Sequence, residues 1–151
     1  MKNTFAVLSI IVCLTSCTLD SHHDQKNGIQ DDLRRLQGDW TIESETIDGQ
    51  KQPDDIRRTT MTYTGHHWIQ RKDGVTTSEG NSEFRSDTNP KEIDIAPLGG
   101  PSAGKVLPGI YRLDRDTYES CFVLPGEERP TEFSSEQGSG HFHVIFKRAD
   151  K

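Results

Sequence analysis

The chain is short of cysteine, of basic charge and of long apolar runs, and each shortage excludes something. It holds three cysteines, Cys13, Cys17 and Cys121. The first two fall in an N-terminal segment that is expected to be cut or modified. That leaves Cys121 alone and excludes an intrachain disulfide. Cys121 lies in the apolar run YESCFVL, where a thiol serves as a small buried hydrophobe, and no neighbouring pattern would activate it. Acids outnumber bases by 24 to 18, giving a formal net charge of −6. A nucleic-acid interface wants a basic face, so no nucleic-acid partner is expected. The one long apolar run, Phe5–Leu14, is half of the roughly 20 residues that a helix needs to cross a bilayer.

That run has the marks of an export signal. Lys2 supplies the positive start, the apolar stretch follows, and Leu14-Thr15-Ser16-Cys17 closes it. Small residues before a cysteine at this place resemble the lipobox of bacterial lipoproteins. The resemblance implies cleavage before Cys17, so that residues 1–16 are signal peptide, and a lipid on the Cys17 thiol. Two or three acyl chains anchor stably, because each buried methylene contributes about 0.8 kcal/mol. Membrane lipid is then the expected partner of Cys17, and the cell envelope the expected location. Thr18 follows the cysteine, where an Asp would hold enteric lipoproteins in the inner membrane. By that analogy the anchor sits in the outer membrane, facing the periplasm or the cell surface.

Residues 17–28 are polar and aperiodic and read as a flexible tether. Ile29, Leu33 and Leu36 then fall on one helical face, with Asp31 and Asp32 in the first turn, Arg34 and Arg35 in the last, and Gly38 at the stop. Beyond Gly38 the period changes to two. DWTIESETI alternates, with Trp40 and Ile42 on one face and Glu43 and Glu45 on the other. RTTMTYT, HHWIQRK, VTTSEGNSEFRS, KEIDIAP, KVLPGIYRLD, DTYESCFVL and HFHVIFKR continue the pattern, with turn signals at Asp48-Gly49, Asp73-Gly74 and Asp114-Arg115-Asp116. The expectation is all-β: about eight antiparallel strands in a barrel spanning residues 29–151, with a short N-terminal helix.

LRRLQGDW, PKEIDIAP, GKVLPGIYRLDRDTYESCFVLPG and RPTEFSSEQGSG occur in that order. Together they resemble an uncharacterised planctomycete-associated domain, over about Asp31 to Lys147. The resemblance implies a small, often exported, lipocalin-like domain and no biochemical activity. Gly38-Asp39-Trp40 after a short helix is also similar to the G-x-W of the lipocalins. There a basic residue near the end of the last strand covers the tryptophan and closes the barrel; Lys147 or Arg148 would do so here.

Three stretches invite a chemical reading. GGPSAGKV imitates a phosphate-binding loop and a serine elbow at once. Val106 stands where the first needs Ser or Thr, and Pro108 and Gly109 oppose the helix that both need. Gly99, Gly100, Ser102 and Lys105 are therefore expected on an exposed loop at the barrel rim, with Ser102 and Lys105 in solvent. Arg129 and Glu132, in PGEERPTEFSSEQGSG, are expected on a second, solvated rim loop. His67, His141 and His143 could bind zinc or haem iron if their strands met, although the alternation points His141 and His143 outward. No complete catalytic set and no cofactor motif is present. The expected function is a non-catalytic, lipid-anchored module for a small apolar ligand or an envelope protein. The alternatives are a histidine metalloprotein or enzyme, and a packed barrel with a structural or protein-contact role.

Overall fold

The computed structural model describes residues 19–149; the residues read as a signal segment and lipobox, Cys17 included, lie outside them. A helix α1, Leu19–Leu36, precedes nine strands: β1 (Gly38–Ile47), β2 (Gln50–Lys51), β3 (Thr59–Thr64), β4 (His67–Lys72), β5 (Val75–Arg85), β6 (Lys91–Pro97), β7 (Leu107–Leu113), β8 (Thr117–Phe122) and β9 (Phe142–Arg148). Every barrel pairing is antiparallel, and β9 returns to pair with β1. Eight strands thus close on themselves, and the two-residue β2 is an appendage on the β1 hairpin. Closure removes the unpaired edges that an open sheet would expose.

Two sequence expectations change. The helix begins at Leu19, inside the stretch 17–28 read as a tether. That stretch has no apolar stripe, so periodicity had nothing to detect there. The second change is inside β1. Ile42 pairs with Phe146 and Ser44 with Ile145, so Glu43 is an extra residue with no register partner on β9. This bulge reverses the alternation beyond it. Ser44 turns outward, while Glu45 and Ile47 join Trp40 and Ile42 on the inner face, opposite Val144 and Phe142.

One end of the barrel is sealed. Gly38 has φ +99°, which turns the chain from helix into strand where a side chain would be strained. Trp40 is fully buried and donates its indole N–H to the Leu36 carbonyl at 2.7 Å. The Arg148 guanidinium lies 4.1 Å from the Trp40 ring centre and donates to the carbonyls of Gln37 (3.1 Å) and Arg35. Lys147 points outward to the Thr117 hydroxyl. Leu33 and Leu36 bury against the same end. Asp32, buried in mid-helix, accepts from Lys91 Nζ at 2.6 Å and Tyr111 Oη at 2.7 Å. The helix is therefore a plug, fixed by apolar contact and by one shielded ion pair.

Residues 124–141 form a strap across the outer wall. Ile110 and Cys121 face outward from β7 and β8, yet both are buried. Cys121 Sγ lies 3.3 Å from the Ser134 carbonyl, and Arg112 stacks over Phe133 at 4.8 Å. Arg129 donates to the carbonyls of Ile93 (2.8 Å) and Gly109 (2.6 Å) and pairs with Asp94 at 2.6 Å. The stretch read as a solvated rim loop is thus a second layer. Arg129 sits on the outer wall rather than at the rim, and Glu132 is exposed along the strap. The guanidinium thus bridges β6 and β7 from outside, through two backbone carbonyls of paired residues and one carboxylate.

Candidate functional site

The other end of the barrel opens. The hairpins after β1 and β4, the β6–β7 loop and the exit of β8 all lie there. The exposed large hydrophobics among the described residues, Val75, Leu98, Val106 and Leu124, lie on those connections. Between this mouth and the plug is a cavity of about 280 Å³.

The strand register arranges one wall in layers. Ile47, Phe142 and Phe122 form the mouth layer, where the two phenylalanine rings stack at 5.1 Å. Glu45, Val144 and Ser120 form the next layer inward, and Ile42, Phe146 and Tyr118 the one below. Across the cavity Met61, Gln70 and Ser78 make a row on β3, β4 and β5, above Tyr63, Trp68 and Gly80. The floor is aromatic: Tyr118 meets Trp40 and Tyr63, each at 5.9 Å, and stacks on Phe146 at 5.1 Å. Such ring pairs each contribute about 0.5–1.5 kcal/mol beyond area burial.

Polar groups in this apolar space are few. The hydroxyls of Tyr63 and Tyr118 face each other at 3.4 Å, and burial raises both above the ordinary phenol range, so they stay neutral. Gln70, Ser78 and Ser120 are neutral. Glu45 is the charged side chain of the lining. Burial raises its carboxyl above the ordinary glutamate range, because a carboxylate loses water there, and among the described residues it meets no cation.

The residues singled out from the sequence occupy other places. Gly99, Gly100 and Ser102 line a groove of about 500 Å³ beside the mouth, with Thr76–Glu79 opposite. Lys105 is exposed, whereas Ser102 is half-buried, a correction to the expected exposure. The loop is three linked turns, with Ala103, Gly104 and Lys105 donating to Gly100, Pro97 and Ser102, and it starts no helix.

The histidines do not converge. His67 stands on β4 near Glu79 at 3.7 Å. His141 meets the Ser134 carbonyl through Nδ1 at 3.0 Å. His143 pairs with Glu119 at 2.8 Å on the outer wall, half-covered by the strap rather than free in solvent. β4 and β9 are separated by β3 and β1 in the closed sheet. No group of three potential metal ligands gathers among the described residues. Cys121 is fully buried, and burial pushes its thiol up to about 11, which leaves it a poor nucleophile.

Sequence reasoning missed Glu45 because alternation assigned it to the outer face. The only available signal was compositional: two glutamates in one strand, either of which a bulge could turn inward. Comparison with known proteins adds nothing to the site: no protein-family profile, curated protein or solved structure matches this chain.

Proposed function

We propose that this protein is a non-catalytic, lipid-anchored binding module of the cell envelope, holding one small, mostly apolar molecule inside its barrel. The cavity carries the reading. It is plugged at one end, open at the other, and lined mostly by apolar and aromatic side chains with a single carboxylate, Glu45. An engineered cavity of about 150 Å³ holds benzene, so about 280 Å³ suits a ligand of roughly a dozen heavy atoms. The aliphatic side chains around the mouth favour entry of apolar matter. The lipobox-like Leu14-Thr15-Ser16-Cys17 supports anchoring.

The test uses three straight-chain eight-carbon probes, octylamine, 1-octanol and octanoate, titrated into the full chain by calorimetry. Saturable binding of at least one, near one per chain and abolished by the cavity-filling change Val144→Phe, supports the reading. If none binds, the small-ligand reading fails and a protein-contact role takes its place. Anchoring is checked separately: Cys17→Ala should move the chain from the membrane fraction to the soluble one or leave it unprocessed. A normally cleaved, membrane-bound variant would refute the lipid anchor.

A further inference from the structure

Among the described residues the other shielded carboxylates of the barrel each have a partner, a cation in all but Asp48, which accepts from the Gly140 amide at 2.9 Å. Asp32 has Lys91, Glu92 and Asp94 share Arg85 and Arg129, and Glu119 has Arg112 and His143. Glu45 departs from that rule. It is half-buried, it faces the cavity, and its carboxyl meets no hydrogen-bond donor and no cation among the described residues. An unpaired carboxylate in apolar surroundings is costly, and natural folds retain few. Here the fold spends a bulge at Glu43 to create one.

We propose that the ligand is a small amphiphilic amine, whose ammonium group pairs with the Glu45 carboxylate and whose apolar body lies on the aromatic floor. The inference rests on the small-ligand reading above and names its ligand class. Position supports the orientation. Glu45 is one layer inside the mouth, while Ile42, Phe146 and Tyr118 lie below it. A head group at Glu45 keeps part of its water near the mouth, and the tail fills the drier end. Gln70, Ser78 and Ser120 offer neutral hydrogen-bond partners to the remaining ammonium protons. Among the described residues no lysine, arginine, histidine or second carboxylate lines the cavity; Tyr63 and Tyr118 are its other titratable groups and stay neutral. An anionic head would meet repulsion from Glu45 with nothing to offset it. A metal cation would find one carboxylate where it needs several ligands.

The same three probes decide the matter at neutral pH. Octylamine should bind at least about tenfold more tightly than 1-octanol, and octanoate most weakly. Glu45→Gln should cost octylamine about tenfold and leave 1-octanol unchanged. Octylamine affinity should weaken on acidification as Glu45 takes up its proton, while 1-octanol affinity holds. If 1-octanol binds the wild-type chain as tightly as octylamine, the cavity reading stands and the amine inference is overturned. The inference also falls if Glu45→Gln keeps the octylamine affinity, since another acid would then be its partner. Absence of binding by all three probes sinks the cavity reading itself. Should Glu45→Gln fail to fold, the wild-type ranking decides alone.

Discussion

Glu45 shows how one side chain can be cheap to specify and costly to keep. Its folded-state carboxyl binds a proton more tightly than an unfolded one does, because burial disfavours the charge. The sign follows. The folded state holds more protons just above the ordinary glutamate pKa, so stability falls as pH rises through the folded value, and at neutral pH the ionised group is a net cost. Glu45→Gln should therefore melt higher than wild type at neutral pH. The advantage should shrink to nothing below about pH 4, where both forms of the chain carry a neutral side chain. Paired thermal melts across pH check this; an equal advantage at every pH would mean that packing, not charge, set the difference. Saturating octylamine should close the neutral-pH gap from the wild-type side.

At the scale of a strand, β5 has a glycine where propensity asks for almost anything else. Gly80 stands opposite Trp68, and a Cβ there would come within 2.5 Å of both Trp68 Cζ2 and the Ala96 carbonyl oxygen. The indole needs that space to lie flat as a wall of the cavity. Replacing a strand glycine by alanine ordinarily gains about 0.5–1 kcal/mol through backbone entropy. The clash costs about 1–3 kcal/mol and wins, since one of the two obstacles is backbone. Gly80→Ala should lower the urea midpoint and weaken 1-octanol binding as Trp68 is displaced into the cavity. A stabilised variant with unchanged binding would show that the strands have room to part. Gly109 makes a similar close approach, with the Cys121 carbonyl oxygen and Phe122 Cβ each 2.8 Å from an added Cβ.

The whole molecule is a barrel held at one end by the helix plug and the Arg148 cap, and along its outer wall by the strap. Arg129 joins strap to wall, and its guanidinium serves two backbone carbonyls and the carboxylates of Glu92 and Asp94. Burial raises the Asp94 carboxyl, but hydrogen bonds from Arg85 and Arg129 outweigh it and hold the group below the ordinary range. Stability from that pair is present above the ordinary aspartate pKa and is lost as pH falls through the depressed value. Arg129→Ala should cost about 2–4 kcal/mol, through the lost hydrogen bonds to the Ile93 and Gly109 carbonyls and to Asp94, with partial solvent access reducing the ionic share. It should also expose Cys121, so thiol labelling in native buffer becomes fast where the wild-type chain resists it. Octanol binding should persist, because the strap lies outside the barrel. Continued protection of Cys121 would mean that the strap holds without its arginine.

The sequence by itself determined the strand set, the turn positions and the helix stripe through Leu33 and Leu36, while the basic residue over Trp40 was only what the likeness to the lipocalins implied, with Lys147 and Arg148 both open. The first three are local: apolar period, glycine and aspartate at turns, β-branched runs. Only the tertiary structure decided which glutamate enters the barrel, that Arg129 latches a strap, and that His67, His141 and His143 stand apart. A bulge depends on how two distant strands share hydrogen bonds, and a latch depends on which part of the wall the strap is laid across. Neither is written in the neighbours of the residue concerned. The hydrophobic pattern of β1 is equally compatible with Glu45 in or out until β9, about a hundred residues later, pairs with it and fixes the register.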